Sequence, residues 1–356
     1  MRIFIDIGHP AHVHYFKHLI WTLQKKGHEI FISARDKDCT LSLLEKYDLS
    51  FYNRGVGANS LAGKFCYLIA ADAKLVKKAK AFRPELFLSF GSSYAAQVAW
   101  LLKKPHIAFE DTEIARFEHL MYVPFTDAIF TPIVFKKSFG RKQIRFSGYM
   151  ELAHLHPRYF APDESVLDKL NVGGGEKYIV VRFVSWSASH DMGHRGFRFD
   201  QKLELIKALE KSARIFISSE DVLPPELDQY RLDISPEQIH QVLYFASLYL
   251  GEGATTASEA AVLGVPAIYV NDLKAGTIDS QIKYGLIFQL PDFEGCKQKA
   301  AELLNMSNLK KTFRERRDAM LKDQIDVTAF MDWVIEDYPD SISTLKSDSN
   351  YQLRFM

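Results

Sequence analysis

Short apolar runs that end in glycine turns alternate with amphipathic helices along this chain, and that alternation admits few folds. Arg2–Ile7 is one such run, followed by the turn Gly8, His9, Pro10 and a segment with apolar positions Val13, Phe16, Ile20 and Leu23. Steps of three, four and three residues hold those side chains on one helical face, and Gly27 ends the helix before a strand over Glu29–Ala34. The pattern continues with a long amphipathic helix near 61–81, a strand at Leu86–Phe90, a turn at Gly91, a helix from Tyr94 and a strand at His106–Phe109. Strands separated by helices imply a mostly parallel sheet covered on both faces. With 356 residues, 47% of them hydrophobic and 13% aromatic, the chain has material for two packed cores.

A concentration of helix breakers interrupts the alternation. Gly148, Pro157, Pro162 and the run Gly173, Gly174, Gly175 suit an interdomain connection. Beyond it the alternation resumes, with a strand over 178–184, a helix near 201–209 and a strand over 214–218. Ser235, Pro236 and Gln238 have capping-box spacing and predict a further helix start. The expected organisation is an N-terminal Rossmann-like domain over 1–150, a linker over 151–176 and a second Rossmann-like domain over 177–325. A helix over 326–340, with Phe330, Trp333 and Val334 on its apolar face, is expected to pack back on the first domain, and a tail over 341–356 to be mobile.

Within the second half, residues 251–266 read as a strand end, a small-residue loop and a helix. Gly251 and Gly253 permit close backbone approach, and the amides of Ala254, Thr255, Thr256 and Ala257 open a helix whose positive end can hold an anion. Glu259 lies in the first turns of that helix, within reach of a sugar hydroxyl beside a phosphate, and Gly264 with Pro266 ends it before a strand over 267–270. A phosphate site is one reading of this segment; an ordinary strand-to-helix turn made for packing is the other.

On these residues the chain resembles the GT-B superfamily of nucleotide-sugar glycosyltransferases and UDP-N-acetylglucosamine 2-epimerases. It is similar to a GT-B-like family of bacterial and archaeal proteins that open on an I-x-I-x-H-P-x-H segment, here Ile3, Ile5, His9, Pro10 and His12, shifted one position by Gly8. The resemblance spans nearly the whole chain and implies an α/β, GT-B-like fold of two Rossmann-type domains facing across a cleft. It implies that Gly253, Ala254, Thr255 and Thr256 hold a donor diphosphate, that Glu259 holds its ribose, and that Ile234 reads the base through its backbone. Arg182 and Ser185 are expected to face the donor phosphates, with Ser219 at the end of the next strand as a further contact. Asn271, Asp272 and Gln281 are expected at the sugar hydroxyls, although Asn and Asp also serve turns without any ligand. No cofactor and no metal are implied, because helix amides and basic groups offset the charge of the leaving diphosphate.

In the first half, Gly8, His9, His12 and His14 follow the opening strand, where the superfamily often places a general base or an acceptor contact. Imidazole titrates near neutrality, and His9 is the candidate base. Glu110, Asp111 and Glu113 follow the strand at His106–Phe109, again at a carboxyl end. Clustered carboxylates raise one another's pKa, which suits acid–base work by Glu110 or Asp111 and acceptor binding by Glu113; helix capping is the plainer role.

Other patterns exclude more than they suggest. Forty-five basic and 44 acidic residues give a formal charge of +1, so no global field draws the chain to nucleic acid. His190 and His194 stand at metal-pair spacing, but Gly193 and Gly196 oppose a helix there, and Asp36, Lys37, Asp38 read as a solvated turn. Cys39, Cys66 and Cys296 lack metal-ligand spacing and are expected as reduced thiols. Asp6 inside the first apolar run is unlike a secretory signal, so a cytoplasmic location is expected. The helix near 61–81 combines Phe65, Leu68, Ile69 and Leu75 with Lys74, Lys77, Lys78 and Lys80, a composition able to meet an anionic membrane surface, although a core-packed helix with a solvated face is the plainer reading because such composition is ordinary in α/β domains. The expected activity is transfer from a nucleotide-sugar donor, a UDP-sugar, to a sugar or lipid-linked acceptor in cell-surface polysaccharide or glycolipid assembly. A 2-epimerase and a non-catalytic nucleotide-sugar-binding protein are the alternatives.

Overall fold

The structure, a computed structural model, describes residues 1–57, 61–183, 197–219 and 222–356; the side chains of 61–70 lie outside that description. The chain divides into two units, one formed by Met1–His154 with Gln324–Met356 and the other by Leu155–Asp323.

The sheet of the first unit holds seven strands: β1 (Arg2–Ile7), β2 (Glu29–Ala34), β3 (Phe51–Asn53), β4 (Leu86–Phe90), β5 (His106–Phe109), β6 (Ala128–Pro132) and β7 (Gln143–Phe146). Their order is β3-β2-β1-β4-β5-β6-β7 and every pair is parallel. Helices cover both faces, so β1 needs no polar face, and Ile3, Phe4, Ile5 and Ile7 are all fully buried. Phe4 stacks on Phe31 at 5.0 Å and lies 4.9 Å from Phe87.

Leu75 and Ala79 of the helix Leu61–Phe82 close over Phe4 and Phe87 while Lys74, Lys77, Lys78 and Lys80 stay exposed. The described half of this helix therefore spends its apolar face on the core and does not offer it to lipid. Phe65, Leu68 and Ile69 lie outside the described side chains. Among the described residues no helix is long and apolar enough to cross a membrane.

The helix Val327–Glu336 belongs to the first unit, capped by the Asp326 carboxylate, which accepts from Ala329 N at 2.9 Å. Phe330 meets Phe130 edge-on at 5.7 Å and Phe146 at 5.9 Å. The mobile tail expected from its polar sequence is instead a helix over Asp340–Ser347 and a 3-10 stretch over Ser349–Phe355. Aromatic packing orders it: Phe355 lies 5.6 Å from Trp333 and 5.8 Å from Phe330, and Gln352 Nε2 donates to Arg145 O at 3.1 Å.

The second unit has β8 (Tyr178–Arg182), β9 (Arg214–Ile217), β10 (Leu248–Gly251), β11 (Ala267–Tyr269) and β12 (Ile287–Gln289) in the order β12-β11-β10-β8-β9, again all parallel. β8 leaves its ladder after the rung that pairs Arg182 with Gly251, short of the expected end at residue 184. The capping box expected at Ser235 does not form. Pro236–Gln238 makes a 3-10 turn in which Gln238 N donates to the Ser235 carbonyl at 2.9 Å, so backbone serves the amide that the side chain was to serve, and the helix Ile239–Phe245 follows.

Candidate functional site

In the second unit the strand order reverses between β8 and β10, and open parallel sheets bind ligands outside the carboxyl ends at such a point. Two of the residues singled out in the sequence, Arg182 and Gly251, form its last rung. A Cβ on Gly251 would fall 2.4 Å from the Arg182 carbonyl oxygen and 2.4 Å from the Tyr249 hydroxyl, so only glycine fits. Gly253 then begins the helix Ala254–Val262 without a side-chain cap. The first intrahelical amide bond runs from Ala257 N to Gly253 O at 3.2 Å, so the amides of Ala254, Thr255 and Thr256 come before it and project from the helix start. A helix start of this kind carries partial positive charge and suits an anion.

The side chains around this point are more tightly paired than the sequence suggested. Glu259 is buried, with Oε1 2.9 Å from His240 Nε2. Lys202 Nζ lies 3.1 Å from Glu252 Oε1 and 4.7 Å from the centre of the Phe183 ring, in a nearly buried pair behind the Gly251 to Gly253 turn. Arg182 Nη1 donates to Ser218 Oγ at 3.2 Å, with Ser219 half-buried next in line.

Asn271 braces its own loop, accepting from Leu273 N at 3.0 Å and donating to Glu252 O at 3.4 Å, while Asp272 is exposed. Gln281 is fully buried and donates to Ser258 Oγ at 2.8 Å, which ties two helices together. Ile234 is half-buried just before the 3-10 turn. Ser185, like His190 and His194, lies outside the described residues.

The first unit has its own reversal, between β1 and β4. Asp6, Ser33 and Ser89 lie side by side across β2, β1 and β4. Asp6 is fully buried and accepts from the Ser33 hydroxyl, from Ser92 Oγ at 2.5 Å and from Arg54 Nε at 3.1 Å. The Arg54 guanidinium in turn lies over the Tyr94 ring, 4.1 Å from its centre. A charge inside an apolar strand needs a buried partner, and Asp6 was the visible half of this pair. Asp72, on the helix beside it, is pushed up to about 7, first by burial and then by the Asp6 charge, against the pull of Arg54.

Gly8, His9 and His12 sit above that network. His9 Nδ1 accepts from Ala11 N at 3.2 Å and so caps the helix Pro10–Lys25, the plainer of the roles open to it. His12 Nδ1 accepts from Gly8 N at 3.3 Å, and burial with nearby His9, Lys37 and Arg54 holds its pKa well below the usual imidazole range, so the ring is neutral.

The three carboxylates after β5 part company. Glu110 is buried and engaged, accepting from Thr112 N at 2.7 Å and Tyr122 OH at 3.0 Å, with His119 Nε2 at 3.5 Å. Gly91 makes room for it, since a Cβ there would fall 2.6 Å from Glu110 Oε2. Glu113 accepts from Lys136 N at 3.0 Å and anchors the loop after β6. Asp111 is the half-buried member, with Thr112 Oγ1 at 3.2 Å. Burial, Glu151, Glu110 and Glu113 together raise its pKa well above the usual carboxylate range. Arg54, Lys202 and His240 were missed in the sequence; a lone acid in an apolar strand signalled the first, and nothing local signalled the others.

Two units, each a parallel sheet wrapped by helices, define a GT-B-like α/β fold. Solved structures of that class overlay on it: the UDP-GlcNAc 2-epimerase of Methanocaldococcus jannaschii with a TM-score of 0.62 at 16% identity, over 90% of this chain and 100% of that one. The Neisseria meningitidis UDP-GlcNAc 2-epimerase bound to UDP-GlcNAc matches with a TM-score of 0.58 at 12% identity, over 90% and 100%. The spinosyn rhamnosyltransferase SpnG, complexed with spinosyn aglycone, matches with a TM-score of 0.60 at 15% identity, over 95% and 100%. The chain belongs to the DUF354 family, described as a protein of unknown function, whose model matches residues 1–334. An uncharacterized protein of Methanocaldococcus jannaschii is 27% identical over 281 residues, 75% of this chain and 81% of that one.

Proposed function

We propose that this chain is a nucleotide-sugar-dependent glycosyltransferase whose second unit holds a UDP-sugar and whose first unit holds a sugar or lipid-linked acceptor. The observation that carries this reading is the uncapped helix start at Gly253, set at the reversal point of the second sheet behind a position where only glycine fits. Its amides bind the diphosphate, His240 orients Glu259 toward the ribose, and the backbone near Ile234 meets the base. UDP-GlcNAc bound to one protein of this fold supports the choice of ligand.

In the reaction, an acceptor hydroxyl oxygen attacks the anomeric carbon, the bond from that carbon to the diphosphate oxygen breaks, and the hydroxyl proton passes to Asp111. The helix amides take up the negative charge that develops on the leaving diphosphate. Asp111 is preferred to His9 as the base because the ring of His9 is already spent at Nδ1 and because a raised carboxylate pKa gives a stronger proton acceptor once ionised.

The acidic cluster also supports a second reading, a nucleotide-sugar 2-epimerase, since a carboxyl group whose pKa is raised by burial and by neighbouring carboxylates suits removal and return of a proton on a sugar carbon. Incubation with UDP-, GDP-, CMP- and dTDP-sugars, with and without candidate acceptors, separates the readings. Acceptor-dependent release of UDP supports transfer, and an epimer formed from UDP-GlcNAc alone supports the second reading. The absence of binding by any nucleotide in calorimetry refutes both.

A further inference from the structure

The first unit exposes an apolar ridge that its own core does not use. On the helix Arg116–Tyr122, His119 and Tyr122 turn inward, while Phe117 and Leu120 are 61% and 73% exposed. Ile114, one turn earlier, is 62% exposed. The neighbouring helix Ser93–Leu101 carries Trp100 in its last turn, 60% exposed and 5.5 Å edge-on from Phe125 of the 3-10 turn that follows the first helix, so the two helix ends adjoin. Gln97 Nε2 fastens the same helices through Met121 O at 3.1 Å. Scattered apolar side chains are ordinary on a protein surface, but neighbouring ones at this exposure mark an interaction site.

The charges around the ridge give the partner its chemistry. Lys103 and Lys104, beyond Leu101 and Leu102 from Trp100, are exposed, as is Arg116 at the helix start. Lys142 Nζ reaches the carbonyls of Val123 and Pro124 at 3.0 and 2.9 Å, which brings the exposed Arg141 beside it to the same edge. Among the described residues three exposed acids lie here: Glu118 on the helix, Asp127, whose carboxylate is already occupied by His106 N at 2.9 Å, and Glu85 near Lys104, whose carboxylate accepts from Arg2 N at 2.8 Å. A chain whose formal charge is only +1 thus gathers cations around one aromatic and aliphatic ridge.

We propose that this ridge docks on an anionic lipid surface, with Phe117, Leu120 and Trp100 entering the boundary between headgroups and acyl chains and Lys103, Lys104, Arg116 and Arg141 lying against the phosphates. Aromatic and aliphatic side chains flanked by Lys and Arg are the composition that binds such a boundary, and no membrane-spanning helix is needed for it. A protein partner would favour a ridge with its own hydrogen-bonding rim of balanced charge; here the cations outnumber the acids, two of which, Asp127 and Glu85, already accept from backbone amides. Docking by this face would bring the first unit to a lipid-linked acceptor, though it stands without the assigned reaction.

Co-sedimentation of the full chain with vesicles tests this, using phosphatidylcholine alone and phosphatidylcholine mixed with an equal part of phosphatidylglycerol. Binding is expected to the mixed vesicles and not to the neutral ones. Phe117→Ser with Leu120→Ser is expected to lower the partition coefficient at least about tenfold by removing apolar surface. Lys103→Glu with Lys104→Glu, which leaves the ridge intact, is expected to lower it by a similar factor, about tenfold, through charge alone. Circular dichroism and UDP titration are run on each variant and should match the parent, so that loss of fold or of nucleotide binding is told apart from loss of docking. Equal binding to neutral vesicles, no binding to either kind, or full binding by the serine variant overturns the proposal. So does a dimer in sedimentation velocity that the serine variant abolishes, which assigns the ridge to a second copy of the chain.

Discussion

Replacing Asp6 by Asn should unmask the electrostatics of the first unit. Asn keeps the shape of the side chain and still accepts from Ser33 and Ser92, but it leaves the Arg54 guanidinium, whose side chain is 2% exposed, without its facing charge. Breaking a buried ion pair by removing one partner costs about 3–5 kcal/mol. For a unit of this size that lowers its melting temperature by about 6–20 °C. The structure adds a pH dependence. Asp72 is held near 7 in part by the charge on Asp6 and is drawn down by Arg54, so loss of the Asp6 charge lets Asp72 ionise at lower pH and take over as counter-ion. The cost of Asp6→Asn is therefore expected to be full at about pH 5, where Asp72 is protonated, and smaller at about pH 8. In Asp6→Asn with Asp72→Asn the relief at high pH disappears, a coupling of about 1–2 kcal/mol. Calorimetry and urea unfolding of the four proteins at both pH values measure these terms. A cost for Asp6→Asn that is equal at the two pH values, or one whose relief at high pH persists when Asp72 is also replaced by Asn, refutes the reasoning.

Asp72→Asn alone should stabilise the protein at alkaline pH. Its folded pKa of about 7 exceeds the value of 3.8 for a free aspartate, so between them the folded state holds the extra proton and stability falls as pH rises. The ceiling of that loss is about 4 kcal/mol, which solvent screening of a half-exposed group reduces to about 1–2 kcal/mol; the variant should match the parent near the lower pKa and exceed it above the upper one in urea titrations. Gly251→Ala should cost about 1–3 kcal/mol or more in calorimetry, because the new methyl meets backbone on one side and cannot be relieved by a rotamer. Asp111→Asn should lower kcat by about 10²–10⁴-fold and abolish a limb that, in the parent, rises with pH through the elevated pKa of Asp111. Glu259→Gln should weaken UDP binding by about tenfold in calorimetric titration, through loss of a charge-assisted ribose contact oriented by His240.

What could be read in the sequence was what local chemistry decides. β1, β2, β4 and β5 stand at their expected bounds because each is an apolar run closed by a turn. β3 has only the three residues Phe51–Asn53, and β7, a sheet edge with the sequence QIRF, carries little apolar signal, so neither was recognised. The helix start at Gly253 was legible because two glycines mark the turn before it, and at the first, Gly251, no side chain fits. Its buried partners were not. Arg54 lies 48 residues from Asp6, and His240 lies 19 from Glu259, and only folding of the sheets brings each pair together. Polarity misled at the C-terminus, where residues 341–356 look fit for solvent but are held by Phe355 and Gln352 against the last long helix and β7. Nothing local in the sequence signalled that the Gln281 amide joins two helices.

A crystal of the protein soaked with UDP tests the central claim most directly. The diphosphate is expected within hydrogen-bonding distance of the amides of Ala254, Thr255 and Thr256, with a ribose hydroxyl on Glu259. A diphosphate bound elsewhere, or a helix start left without nucleotide at saturating UDP, contradicts the account.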